Sequence, residues 1–365
     1  MPLFDLAPKE SPASLFGRTR ELDELTRLLR ARRWVVVLGP RMVGKTSLVK
    51  AVRHRLHLPG AYVNLWGVHS VQGLVEGLIA GLNESASLRA RLVRALKRLE
   101  GVGVGPSGLS VSAPRAPLKT AWDLLDLLGS EAGDCLVILD EVQELSSTSG
   151  RLLRLLGNLF NTHPNVCFVF TGSRVGLSRT LVEPSADSPL YGRAPVAMIL
   201  APFDRTTSSA FLARGTRESG VRLTSAELAM ALDGPLDGTP GWLTLFGNHL
   251  TVRRLGATRA LAETIREGKK VAESELGHFL SGRNPSLYWP ALKALALRAS
   301  WGTIRMYVGQ HTGQRVNDAT VQRVIRSLES AYFCRRTEEG YELVDPMVQA
   351  YVSQAVRPPR GMTHR

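Results

Sequence analysis

The chain has little cysteine. Three residues in 365, Cys135, Cys167 and Cys334, stand with no C-x-x-C spacing, which excludes a disulfide framework and paired-thiolate zinc sites. Cys135 and Cys167 fall inside apolar strand patterns and are expected as buried core thiols. Long apolar runs are also missing: nothing approaches the roughly 18 uncharged apolar residues of a membrane span. The stretch 1–14 carries no signal-like apolar segment, so no membrane partner and a cytoplasmic location are expected. Acid is short relative to base, 32 against 46 residues, for a net charge of +14, and only eight of the basic residues are lysine. The excess favours an anionic partner, nucleic acid before acidic membrane, although a GC-rich genome or a thermophilic origin produces the same bias. With 44% hydrophobic residues, the length suits two or three domains.

Against that background one stretch is specific. An apolar run, Val35–Leu38, ends in Gly39-Pro40-Arg41-Met42-Val43-Gly44-Lys45-Thr46-Ser47 and opens a helical pattern. This is strand, loop and helix with the G-x-x-x-x-G-K-T spacing of a Walker A loop. Gly39 and Gly44 permit the turn that points successive N–H groups, those of Pro40–Ser47 apart from proline, at one anion beside a helix N-terminus. Lys45 is expected on the β- and γ-phosphates and Thr46 on Mg²⁺. Upstream, Phe16-Gly17-Arg18 precedes an amphipathic helix bearing Leu22, Leu25, Leu28 and Leu29; it is either an ordinary loop or part of the base pocket.

Downstream, Cys135–Leu139 is an apolar strand ending in Asp140-Glu141. Paired with a Walker A loop this reads as Walker B, Asp140 holding the metal shell and Glu141 polarising the attacking water as general base. The adjacent glutamate implies one further strand between the two Walker strands, and 165–170 is the candidate. Its end, Thr171, Ser173 and Arg174, is expected to sense the γ-phosphate or else to be a polar turn. Val196–Leu200 supplies a fifth strand; Arg193 before it is either an arginine finger, within the chain or across subunits, or a surface ion-pair residue. The segment 101–117 is a loop or a small hairpin, with no chemistry attached. Absence of an Asn-Lys-x-Asp motif favours ATP over GTP.

Helical patterns fill 206–280. Beyond Pro285 the order helix, helix, helix, hairpin is that of a winged helix. Gln322, Arg323 and Arg326 on the third helix and Arg335 and Arg336 on the wing are candidate contacts to double-stranded DNA. Glu338 and Glu339 at the wing tip argue for packing or protein contact instead.

Taken together, these residues resemble the archaeal ATPase family of the STAND branch (MNS group) of AAA+-related P-loop ATPases. The resemblance spans roughly residues 14–355 and rests on Phe16-Gly17-Arg18, the P-loop, Leu139-Asp140-Glu141, Thr171-Gly172-Ser173, Pro189–Arg193, Gly238-Thr239-Pro240-Gly241 and Asp345-Pro346. It implies an α/β P-loop core with a five-stranded parallel sheet over 1–201 (1–13 a flexible arm), a helical lid over 202–283 and a winged-helix domain over 284–365. It further implies that Pro240 packs on the nucleotide, that Ser173 and Arg174 lie at a sensor position, and that ATP or ADP with Mg²⁺ is bound. The expected activity is an ATP-driven switch directed to DNA. The alternative is a nucleotide-gated protein scaffold with negligible turnover; a protein partner or homo-oligomer fits either, and a metabolic kinase fits worst.

Overall fold

The computed structural model describes residues 2–84, 92, 102–105, 108–111, 116–172, 176–312 and 316–359. By packing, the chain divides into two compact units. One holds Pro8–Gly39 and Lys45–Leu200; the other holds Met1–Ala7, Pro40–Gly44 and Ala201–Arg365.

In the first unit, helix α1 (Thr19–Arg30) buries Leu22, Leu25, Leu28 and Leu29 along one stripe, the result of their three- and four-residue spacing. Strand β1 (Val35–Leu38) runs into the P-loop, then α2 (Lys45–Leu56), β2 (Gly60–Asn64) and α3 (Val71–Asn83) follow. The glycine-rich segment forms a hairpin, β3 (Val102–Gly105) against β4 (Gly108–Val111), which decides between the two expectations for it. Apart from buried Leu92, the helical pattern at 87–99 lies outside the described residues. Next come α4 (Pro117–Glu131), β5 (Cys135–Asp140), α5 (Ser149–Thr162), β6 (Val166–Gly172), α6 (Gly176–Val182) and β7 (Val196–Ile199).

These strands form one parallel sheet in the order β2-β5-β6-β1-β7. Burial explains the order. Strands β1, β5 and β6 are buried at every position and read as continuous apolar runs, as parallel strands covered on both faces must. The edge strands β2 and β7 keep exposed positions. Strand β6 lies between the two Walker strands, as the Asp-Glu pair implied. Cys135 and Cys167 are buried in β5 and β6, and burial pushes their thiols up to about 12 and about 11.

The second unit continues with α7 (Arg205–Glu218), α8 (Ser225–Asp233), α9 (Pro240–Thr251) and α10 (Ala257–Leu280). Asp204 caps α7, and a Thr224–Glu227 capping box starts α8. Helices α11 (Pro285–Ala296), α12 (Trp301–Thr312) and α13 (Asp318–Ser330), the hairpin β8 (Cys334–Arg336) and β9 (Tyr341–Leu343), and α14 (Pro346–Gln354) complete it. Asn317 is the α13 cap, its side chain accepting from the Thr320 N–H at 2.8 Å. The regions 202–283 and 284–365 fall in the same compact unit, where α10 passes so close to α14 that a Cβ on Gly268 would come 2.6 Å from Met347 Sδ. The segment read as a loose arm is packed. Phe4 is buried against Gly215 and Gly247, its carbonyl accepting from Asn248 at 3.1 Å, while Lys9 and Glu10 are tied to α2.

Candidate nucleotide site

The site grows from the carboxyl ends of the parallel strands, where open α/β sheets place ligands. Gly39 and Gly44 both have positive φ, 155° and 98°. A Cβ on Gly44 would meet nothing within 4 Å, so backbone conformation rather than space demands glycine there. Met42, at φ 62°, takes the left-handed conformation that non-glycine residues rarely adopt. Val43 is buried, and so is Lys45, whose ammonium donates to the Gly39 carbonyl at 3.0 Å. The Ser47 hydroxyl accepts from the Lys9 N–H at 3.1 Å.

Asp140 is the centre of the site. Its Oδ2 accepts from the Thr46 hydroxyl at 2.8 Å and the Tyr62 hydroxyl at 2.6 Å, and its Oδ1 accepts from Thr171. The Thr171 oxygen in turn accepts from the Glu141 N–H at 3.0 Å. One hydroxyl at the end of β6 therefore fixes both Walker B residues. Glu141 sits at φ 61°, which turns its side chain out of the strand register, and Gln143 donates to its carboxylate. Burial first, then the Asp140 charge, raises the pKa of Tyr62 far above that of a free phenol, which keeps it a donor.

A hydroxyl and a carboxylate in contact suit Mg²⁺. That ion takes oxygen ligands and completes its shell with water and phosphate.

The tip of the loop, Pro40–Gly44, packs within the C-terminal unit. There the Gly241 N–H, one residue past Pro240 at the start of α9, donates to the Met42 carbonyl at 2.9 Å, and a Cβ on Gly241 would lie 2.7 Å from that of Met42. Asp345, capping α14, accepts from the Met347 N–H at 2.8 Å and from Trp242 Nε1 at 3.4 Å. Burial raises its pKa, and hydrogen bonds and the charge of Arg41 oppose the rise. Pro240 and Arg41 thus stand in one neighbourhood, joined through Met42, Trp242 and Asp345.

Arg18 is buried at the start of α1 and ion-paired with Glu21 at 2.9 Å, next to half-buried Phe16 and exposed Gly17. Arg193 is exposed, donates to Asn161 and lies 5.9 Å from the Phe160 ring. It precedes β7, and β7 is parallel to β1, so Arg193 is at the opposite end of the sheet from Lys45. Ser173 and Arg174 lie outside the described residues. Gln322, Arg323 and Arg326 are exposed along α13, and Arg336 is exposed on the hairpin, but Arg335 is paired with Glu342 at 2.6 Å.

Tyr62 and Gln143 were not singled out from sequence. A tyrosine within an apolar strand looks like packing. Gln143 carried one signal, its position two residues beyond Glu141.

A family model described as an ATPase domain predominantly from Archaea matches residues 15–244. The structure is similar to the Walker-type ATPase of Pyrococcus abyssi, with 28% identity and a TM-score of 0.79 over 96% of this chain and 99% of that one. It shares its fold with the ORC2 protein of Aeropyrum pernix in ADPNP–ADP complexes, at 15% identity and a TM-score of 0.62 over 96% and 95% of the two chains. No curated protein matches. The five-stranded P-loop sheet, its Walker residues and the family match together make the chain a member of the ATPase-domain family found predominantly in Archaea.

Proposed function

We propose that the protein is an Mg²⁺-dependent ATP-binding and hydrolysing switch whose nucleotide state is passed to a C-terminal winged helix that contacts duplex DNA. The observation that carries the coupling is the Gly241–Met42 hydrogen bond: the tip of the phosphate loop packs in the same compact unit as the lid motif and the C-terminal helices. Drawing the Met42 peptide toward a phosphate competes with that bond, so nucleotide binding and the packing of α9 are energetically linked.

In the reaction, Lys45 and the loop N–H groups hold the phosphates. Thr46 and Asp140 hold Mg²⁺, which when bound neutralises phosphate charge. Glu141, oriented by Gln143 and by the Thr171 bond to its backbone, takes the proton of the attacking water. Thr171 ties that residue to the metal-binding carboxylate, so base and metal shell move together.

The DNA assignment rests on α13. Gln322, Arg323 and Arg326 share its exposed face, and Arg323, Arg326 and Arg336 have no carboxylate partner among the described residues. A specific observation favours a second reading, a protein-directed switch: Arg335 is neutralised by Glu342, and Glu338 and Glu339 are exposed at the hairpin turn. Duplex binding measured without nucleotide, with ADP and with ATP, using Glu141→Gln to hold the ATP state, separates them. The DNA reading requires affinity that depends on nucleotide and falls with salt, with a log–log slope shallower by about 2 in the Arg323→Ala/Arg326→Ala double variant. No binding in any state leaves the protein-directed switch.

A further inference from the structure

Strand β5 carries Asp140 and has a neighbour on each side, β2 and β6. Each neighbour sends one hydroxyl to the same carboxylate, and each hydroxyl takes a different oxygen: Thr171 of β6 on Oδ1, Tyr62 of β2 on Oδ2. Tyr62 is in register with Ile138, so its side chain reaches two residues along β5 to meet Asp140. The ring is supported from α2. Lys50 Nζ lies 5.0 Å from the ring centroid and is itself held by Glu10 at 2.8 Å. Lys50 is one helical turn beyond Thr46, so a single helix face presents the Thr46 hydroxyl to Asp140 and a cation to the tyrosine that grips the same carboxylate.

A carboxylate held at one oxygen still swings about its side-chain torsions. Held at both, from strands on opposite sides, it has one orientation. The Thr46 hydroxyl shares Oδ2 with Tyr62, but Thr46 is itself a metal ligand in the reading above and does not remain a dedicated donor to Asp140. Tyr62 has no such second task. We infer that Tyr62 is the positioning residue of the metal site: its hydroxyl fixes Oδ2 of Asp140 so that the carboxylate meets the metal in one orientation, with Lys50 and Glu10 holding the ring in place. The inference rests on Asp140 serving the metal.

The test uses the full chain, a fluorescent ATP analogue and Mn²⁺, whose own magnetic resonance signal reports its binding. In Tyr62→Phe, which keeps the ring and removes one oxygen, the Mn²⁺ concentration for half-saturation of the nucleotide-bound protein should rise about tenfold, the usual cost of losing an outer partner of a metal ligand. Analogue binding in EDTA and the melting temperature should stay as in the parent, which a general packing defect would not allow. Lys50→Met, which leaves the hydroxyl and removes the cation beside the ring, should shift Mn²⁺ in the same direction by a smaller factor. Asp140→Asn serves as the reference. If it weakens Mn²⁺ strongly and Tyr62→Phe matches the parent, the role of Tyr62 is refuted while the metal site stands. If Asp140→Asn leaves Mn²⁺ binding unchanged, the metal reading falls and the inference with it.

Discussion

The ammonium of Lys45 donates to the carbonyl of Gly39 at 3.0 Å, so the lysine of the phosphate loop is bonded to the first residue of that loop. Held this way the ammonium lies over the loop, and in the proposed reading the bond to Gly39 is exchanged for bonds to phosphate when a nucleotide enters. Lys45→Ala should therefore weaken ATP binding by more than about tenfold, read by titration with a fluorescent analogue. Glu141→Gln should leave binding near that of the parent and lower turnover about 10²- to 10³-fold, the range for loss of a general base. Phosphate release measures the second effect. Equal losses of binding in the two variants would contradict the division of roles.

Thr171 makes a different prediction, because its hydroxyl contacts both Walker B residues without a charge of its own. Thr171→Val keeps the volume and branching suited to a buried strand and removes only the oxygen. Turnover should fall about 10- to 100-fold, as for partners of metal ligands, with nucleotide affinity changed by less than about threefold. A loss of affinity as large as the loss of turnover would mean that Thr171 supports the loop rather than the reacting groups.

A third prediction concerns pH. His249 on α9 is buried, and neither ring nitrogen has a hydrogen-bond partner among the described residues. Glu267 comes to 3.7 Å, with Arg253, Glu263 and Arg266 also near. Burial is the largest influence and lowers the pKa; the acids oppose it and the arginines add to it. The unfolded chain therefore takes up the proton first as pH falls, and stability, full above the unfolded value of about 6.5, declines as acid is added until the lower folded pKa is passed. His249→Leu should flatten this decline between pH 7 and pH 5.5 in thermal melts. A variant with the same slope as the parent would rule out His249 as its source.

Much of the core was legible because its signals are local. The P-loop spacing, the apolar runs of β1, β5 and β6, the cap at Asn317 and the helix start at Pro240 each follow from a few adjacent residues. The insertion of β6 between the Walker strands was legible indirectly, through the glutamate following Asp140. What escaped depends on distant parts of the chain. Arg193 has the sequence neighbourhood of an active-site arginine, but only the parallel pairing of β7 with β1 shows which end of the sheet it occupies. Tyr62 has no motif, and its bond to Asp140 appears only once β2 is placed beside β5. The approach of Gly268 on α10 to Met347 on α14 is likewise marked by no local pattern.

The seating of Phe4 has a consequence for how the chain acquires its structure. The ring sits in a notch made by two glycines on different helices, Gly215 and Gly247, and the bond that latches it joins residues 244 positions apart. The notch cannot form until α7 and α9 have come together. Closing so large a loop is entropically slow and yields nothing until its last contact is made. Insertion of Phe4 is therefore a late event, and the helices it clasps must first associate around an unfilled groove. Refolding followed at α9 should show a final phase that is lost when Phe4 is cut back to alanine, while assembly of the β-sheet proceeds at its usual rate.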